Sequence, residues 1–230
     1  MRQTKTTKQC LDELKAKSVS ENLSGMARFG IDTSKALGVS MPNIRQIAKT
    51  TKQNHILALE LWQSEIHEAR ILASLVEDPK LVTRGQMDEW AGNFQSWDVC
   101  DQVCGNLFDR LPFAREAIND WSIDQREFVK RAAFAMIAWQ AVHLKKEPDE
   151  DFTAYFPLIK NASNDKRNFV KKAVNWALRQ IGKRRLSLYH PAYALAEELA
   201  NSHVASAPWI GKDAIREFDK PALKTKLGLD

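Results

Sequence analysis

The chain is predicted to fold as an all-α stack of helix pairs, on three observations. Apolar residues recur at helical spacing through most of the sequence, and strand-like alternation is nearly absent. Breakers are few, 9 Gly and 8 Pro in 230 residues, and they fall between the periodic stretches. Finally, Phe128-Val129-Lys130-Arg131-Ala132 returns 41 residues later as Phe169-Val170-Lys171-Lys172-Ala173, each copy near the start of the second helix of a pair.

The elements follow from caps and breakers. Met1 to Lys17 is polar and Lys-rich and is expected to fray, and Ser18 to Ser24 reads as a connection. Gly38 to Pro42 is a turn, and Asn43 opens a short helix to Lys49. Asn54–Ser64 and Glu65–Glu77 read as helices, the second stopped by Asp78-Pro79. Leu81–Phe94 and Ser96–Arg110 follow, and Pro112 starts a helix to Trp121. Asp124 is the expected N-cap of a long helix to about Leu144. Lys145–Asp151 is a charged loop. Phe152–Ala162 is the next helix, followed by Asp165–Lys183 with Asp165 as its N-cap. His190-Pro191 opens a helix to Ser202, Pro208 opens the last to Phe218, and residues 220–230 are expected to fray.

A helix pair recurring at about 40 residues is the period of HEAT and armadillo units, which bury their apolar faces only by stacking. The expected architecture is therefore a HEAT-like or armadillo-type helical-repeat solenoid whose second helices line a concave face. No Pro/Gly/Ser-rich linker interrupts it, so residues 1–230 read as a single domain with frayed tails at 1–17 and 220–230.

Net charge is +5, but its distribution is uneven: Arg126–Arg185 holds 14 Lys plus Arg against 6 Asp plus Glu, leaving the remainder at −3. Stacking would align Lys130/Arg131 with Lys171/Lys172, and Lys166, Arg167, Arg179, Lys183, Arg184 and Arg185 would extend the stripe. Such a stripe suits the phosphates of DNA, although a scaffold for acidic protein segments would carry similar charge. No run of about 18 apolar residues suggests a membrane span, and the polar N-terminus lacks a secretory pattern, so a cytoplasmic protein is expected. Cys10, Cys100 and Cys104 make no disulfide framework and read as buried small hydrophobes. The five histidines are scattered, so no metal is expected. No Gly-rich phosphate loop appears, and no cofactor is expected.

The segment Ser96-Trp97-Asp98-Val99-Cys100-Asp101 stands out. Trp97 and Asp101 are four apart and share a helical face. A carboxylate beside an indole is costly in a core and sensible on an open groove, where the ring meets a sugar or base and the carboxylate a nearby cation. Trp176, in a later second helix, could face Trp97 across the concavity; the alternative is that both tryptophans are core.

These stretches, taken together, resemble the DNA alkylation repair family of AlkD-like DNA glycosylases. The similarity runs through Met26-Ala27-Arg28-Phe29 and Gly38-Val39-Ser40-Met41-Pro42-Asn43-Ile44-Arg45, then Trp97 to Asp101 and Lys130-Arg131-Ala132. It continues through Phe169 to Arg179 and ends with Trp209-Ile210-Gly211-Lys212-Asp213-Ala214. The resemblance implies a HEAT-like fold and an enzyme that excises cationic N3- and N7-alkylated purines from double-stranded DNA; a solenoid with a DNA groove needs no partner chain, so a monomer is expected. It implies that Asp101 stabilises an oxocarbenium-like deoxyribose and positions water, and that Trp97 and Trp176 flank the lesion. Arg131 matches the arginine that grips the DNA backbone. Phe29, Lys130, Phe169, Lys171, Lys172 and Arg179 complete the expected DNA-binding set. Phe29 stands where the family pattern has a tyrosine, and Asn168-Phe169 where it has two phenylalanines. Two other readings stay open: a HEAT-like binder of duplex or structured DNA without catalysis, and a protein-interaction scaffold.

Overall fold

The computed structural model describes residues Gln3–Leu229 and is helical throughout; residues 1, 2 and 230 of the expected tails lie outside the described residues. Two compact units divide after Leu111. No helix among the described residues is long and apolar enough to cross a membrane.

The first unit holds α1 (Thr7–Ala16), α2 (Ser20–Arg28), α3 (Met41–Thr50), α4 (His55–Gln63), α5 (His67–Val76), α6 (Arg84–Gly92) and α7 (Trp97–Asn106). Helices α1, α4 and α6 begin at side-chain caps: Thr6 in a reciprocal box with Gln9, Asn54 on Leu57 N–H and Thr83 on Gln86 N–H. The expected frayed N-terminal tail is thus corrected. Polar composition hides two apolar residues four apart on one face, Cys10 and Leu14, and both are completely buried. Gln3 ties the preceding strand of chain to Thr50 and Lys52 through backbone hydrogen bonds. Likewise the expected connection at 18–24 already contains the start of α2.

At the centre of this unit lies α5, buried on every side except at Leu75. The core around it includes Trp62 stacked on Trp90 with centroids 4.2 Å apart, edged by Phe94 and Phe108. The first two residues of α5 act outward from the core. The buried Glu68 carboxylate accepts backbone N–H groups from Leu37 (2.9 Å), Gly38 (2.7 Å) and Val39 (3.1 Å). Gly38 sits at φ 72° with the Val19 carbonyl where a Cβ would be, so the turn admits only glycine. The backbone N–H of His67 donates to Lys35 O at 3.0 Å, and its Nε2 lies 2.8 Å from Asp98 Oδ2 on α7. Burial opposes the charge on each partner, but the contact wins, raising the His67 pKa and lowering that of Asp98.

The second unit holds α8 (Ala114–Trp121), α9 (Glu127–His143), α10 (Glu150–Thr153), α11 (Phe156–Ala162), α12 (Asn168–Gly182), α13 (Leu186–Ala200), α14 (Ala207–Phe218) and α15 (Pro221–Leu227). The helix expected over 152–162 splits, because Pro157 has no N–H to continue the ladder and sits in the first turn of α11. Helix α13 starts earlier than His190-Pro191 suggests and carries Pro191 inside it. Residues 221–227, expected to fray, form α15 with Leu223 buried and Gly228 closing it in the left-handed region.

The 41-residue repeat organises the contact between α9 and α12. Asp124 and Asp165 were expected as helix caps; each instead closes a turn one step earlier. Asp124 accepts the backbone N–H and guanidinium of Arg126, and Asp165 those of Arg167, so the arginines occupy the cap positions. The first copy then reaches into the second. Arg131 Nη1 donates to Phe169 O at 2.6 Å, Lys130 Nζ pairs with Asp165 at 3.1 Å, and the Phe128 and Phe169 rings lie 5.6 Å apart. Burial opposes the Asp165 charge, but Arg167 and Lys130 hold its carboxyl far below the ordinary range. Beyond α12, Gly211 lets α14 press on α13: an added Cβ would lie 2.3 Å from Ala196 O and Ala200 N.

Two predictions follow from this packing. Gly211→Ala must push backbone from backbone, and is expected to cost about 1–3 kcal/mol in urea unfolding. For the His67–Asp98 pair, the histidine's raised pKa gives stability that is present below its unfolded value and lost as pH rises through the folded one. The depressed aspartate pKa gives stability that is lost as pH falls through the folded value. The melting temperature of wild type should therefore exceed that of His67→Gln most between about pH 4 and pH 6.5, the gap narrowing toward pH 9. A gap independent of pH would show that the pair is not ionised.

Candidate nucleic-acid interface

In the first unit, Trp97 opens α7 and Asp101 stands one turn on, both half-buried. Because Trp97 is the first helical residue, its indole is free to lean away from the helix, and its Nε1–H donates to the Phe29 carbonyl at 3.0 Å. The Phe29 ring itself is 68% exposed. The loop between Phe29 and Val39 is therefore held at three places: by Trp97 at its start, by His67 at Lys35 and by Glu68 at its end. The two aspartates of the Trp97–Asp101 segment diverge. Asp98 turns back to His67, whereas Asp101 lies on the Trp97 face. Behind them Cys100 and Cys104 are buried thiols, the latter with its pKa raised, chiefly by burial. Among the described residues, no group of three or more His, Cys, Asp or Glu could hold a metal ion.

In the second unit, Trp176 is half-buried on α12 and meets Trp139 of α9 edge-on, with centroids 5.4 Å apart at 80°. Trp139 in turn stacks on His143 at 5.0 Å. Sequence reasoning missed Trp139 and His143; their four-residue spacing within a mostly apolar helix was the available signal. Phe169 is half-buried against Phe128.

The expected basic stripe is corrected, because most of its charge serves the fold. Arg131 is 6% exposed and bonds Phe169 O; Lys130 is paired with Asp165. Arg167 is clipped to Asp165, Arg179 lies 3.6 Å from Asp213 and Lys183 pairs with Glu217 at 3.1 Å. Arg184 caps the end of α9 through the carbonyls of Ala141, Leu144 and Glu147, and lies over the Phe152 ring. Arg185 pairs with Asp149. Lys166 and Lys172 are exposed and Lys171 is half-buried; among the described residues, none of the three has a carboxylate partner. The repeat explains the difference. Lys130 and Arg131 find Asp165 and Phe169 ahead of them, while the equivalent Lys171 and Lys172 have no third Asp-x-Arg turn to meet, since Ser206 and Pro208 stand at the corresponding places.

Comparisons with known proteins identify the family from sequence and the fold from structure. The sequence pattern of a family described as DNA alkylation repair enzyme matches residues 10–218. A solved structure superposes with a TM-score of 0.76 at 20% identity, covering 92% of this chain and 95% of its own. It is described as one of a new family of proteins related to the HEAT-like repeat DNA glycosylases with affinity for branched DNA structures. At that identity the likeness establishes the fold, an all-helical HEAT-like architecture. No curated protein matches the chain. The pattern that does match runs from α1 to the end of α14, and by that extent the chain belongs to the DNA alkylation repair enzyme family.

Proposed function

We propose that this chain is a DNA glycosylase hydrolysing the N-glycosidic bond of cationic N3- and N7-alkylated purines in double-stranded DNA. The observation that carries the reading is the Trp97–Asp101 pair, one turn apart on α7, with the indole tethered to the Phe29 carbonyl. In the reaction the C1′–N9 bond breaks with both electrons going to the purine, which discharges its positive charge. Water then supplies hydroxide to C1′ and releases a proton. The group this chemistry needs is a fixed anion beside the sugar as it gains oxocarbenium character, and Asp101 takes that role while orienting the water. Trp97 flanks the lesion. In the second unit Trp176, backed by Trp139, is assigned to DNA contact. Lys171, Lys172 and Lys166 bind phosphates, with Phe169 beside them. Arg131 orders that region through the Phe169 carbonyl, Lys130 through Asp165 and Arg179 through Asp213. One chain carries every group invoked, so a monomer suffices.

A second reading, a binder of duplex or branched DNA without hydrolysis, is favoured by one observation. The exposed Phe29 ring offers no hydroxyl where the family pattern has a tyrosine.

Two measurements test these readings. Asp101→Asn should bind methylated duplex yet release N7-methylguanine about 10²–10³-fold more slowly, the usual effect of removing one transition-state stabiliser. Equal and negligible release from wild type and variant, with binding intact, would favour the second reading. Replacing Lys171 and Lys172 by alanine should weaken duplex binding and lower the slope of log affinity against log salt by about 1.8, at about 0.9 per phosphate contact. An unchanged slope would remove both lysines from the interface.

A further inference from the structure

We infer that Trp209, together with Lys171, forms a stacking site for an unpaired nucleobase, so that the DNA preferred by this protein carries a bulged or single-stranded nucleotide beside its duplex. The inference rests on the DNA-binding reading above and names the part of the substrate that the lysines alone would not distinguish.

Trp209 lies in the first turn of α14 and is 40% exposed, a large fraction for an indole in a chain that buries Trp62, Trp90 and Trp121. Lys171 Nζ stands 4.7 Å from the centre of its ring. Lys212, one turn along α14, is exposed, as is Lys172 on α12, and among the described residues no carboxylate pairs with Lys171, Lys172 or Lys212. The ring is thus an aromatic surface among cations that lack acidic partners, the combination by which proteins hold single-stranded nucleic acid.

Rigidity supports the assignment. Asn175, buried on α12, donates to Ile210 O at 3.1 Å and fixes α12 against the residue that follows Trp209. Gly211 seats the same turn on α13 with no room for a Cβ. The platform is therefore set before a ligand arrives.

The repeat shows why the lysine over the ring is replaceable. In the first copy Lys130 meets the Asp165 carboxylate in an ion pair with both side chains largely buried. Its counterpart Lys171 meets an exposed indole instead. A lysine contact with an exposed indole is weaker than a base–indole stack, so a base takes the ring and the displaced ammonium turns to that nucleotide's phosphate. Any base offers a π-face, so the site reads the absence of pairing rather than sequence. Duplex bases, already stacked on one another, are excluded.

The test compares the full-length protein with Trp209→Ala and Trp209→Phe. Fluorescence anisotropy measures affinity for a fully paired duplex and for the same duplex carrying a bulge of about three thymines. The wild type should prefer the bulged DNA. That preference should fall about tenfold in Trp209→Ala, the size of one lost stack, and largely return in Trp209→Phe. A preference unchanged in Trp209→Ala overturns the stacking site while leaving duplex binding, and the reading it rests on, intact. Failure of the wild type to bind either DNA overturns both. Thermal unfolding of the alanine variant guards the comparison, since a folded protein with lowered preference is the supporting result.

Discussion

Several charges in this protein leave water by bonding to backbone, and that constraint anchors segments within each unit. An ionised side chain can leave water only if other groups replace its hydration. Glu68 meets the condition with three consecutive backbone N–H groups of the loop after α2. Arg131 meets it with the Phe169 carbonyl, and Arg184 with the carbonyls at the end of α9. In every case the charge and its partners lie on different segments of the chain. Remove such a group and a loop or a helix end loses its anchor, with an unsatisfied polar group left behind.

The same constraint governs how much could be read from sequence. Helix identity and order were legible, because caps such as Asn54 and Thr83 and breakers such as Pro79 act locally. The repeat was legible as well, and it marked the α9–α12 contact correctly. Three things were hidden. The apolar pair Cys10 and Leu14 is too sparse to announce a helix within a lysine-rich stretch, although it is fully buried. Asp124 and Asp165 satisfy the composition of a helix cap but bond to the arginine two residues on. Most consequential, a count of positive residues between 126 and 185 treats all of them as solvent-facing, whereas the fold engages Arg131, Arg167, Arg184 and Arg185 internally. Burial and pairing are tertiary facts, and composition cannot report them.

For the candidate site, the sequence located Trp97 and Asp101 on one face of a helix, which required only their spacing. It did not reveal that the neighbouring Asp98 turns back to His67, and that contact matters. One aspartate of the segment secures α7 to His67, and the other lies on the side that carries the indole. Family membership and fold are consistent with DNA repair; Trp97 and Asp101 belong to the first unit, Trp176 and the lysines to the second.

The 41-residue repeat behaves like a polymer with a reactive end group. The Asp165-x-Arg167 turn receives Lys130 of the first copy and the Phe169 carbonyl receives Arg131, so that copy is saturated. The last copy has nothing ahead to saturate it, and its valence stays open. Lengthening the array by one more such copy would quench Lys171 and Lys172 without altering either residue. On this view the supply of cations without acidic partners is set by where the array stops, and that boundary is as much a part of the protein's specification as any side chain it displays.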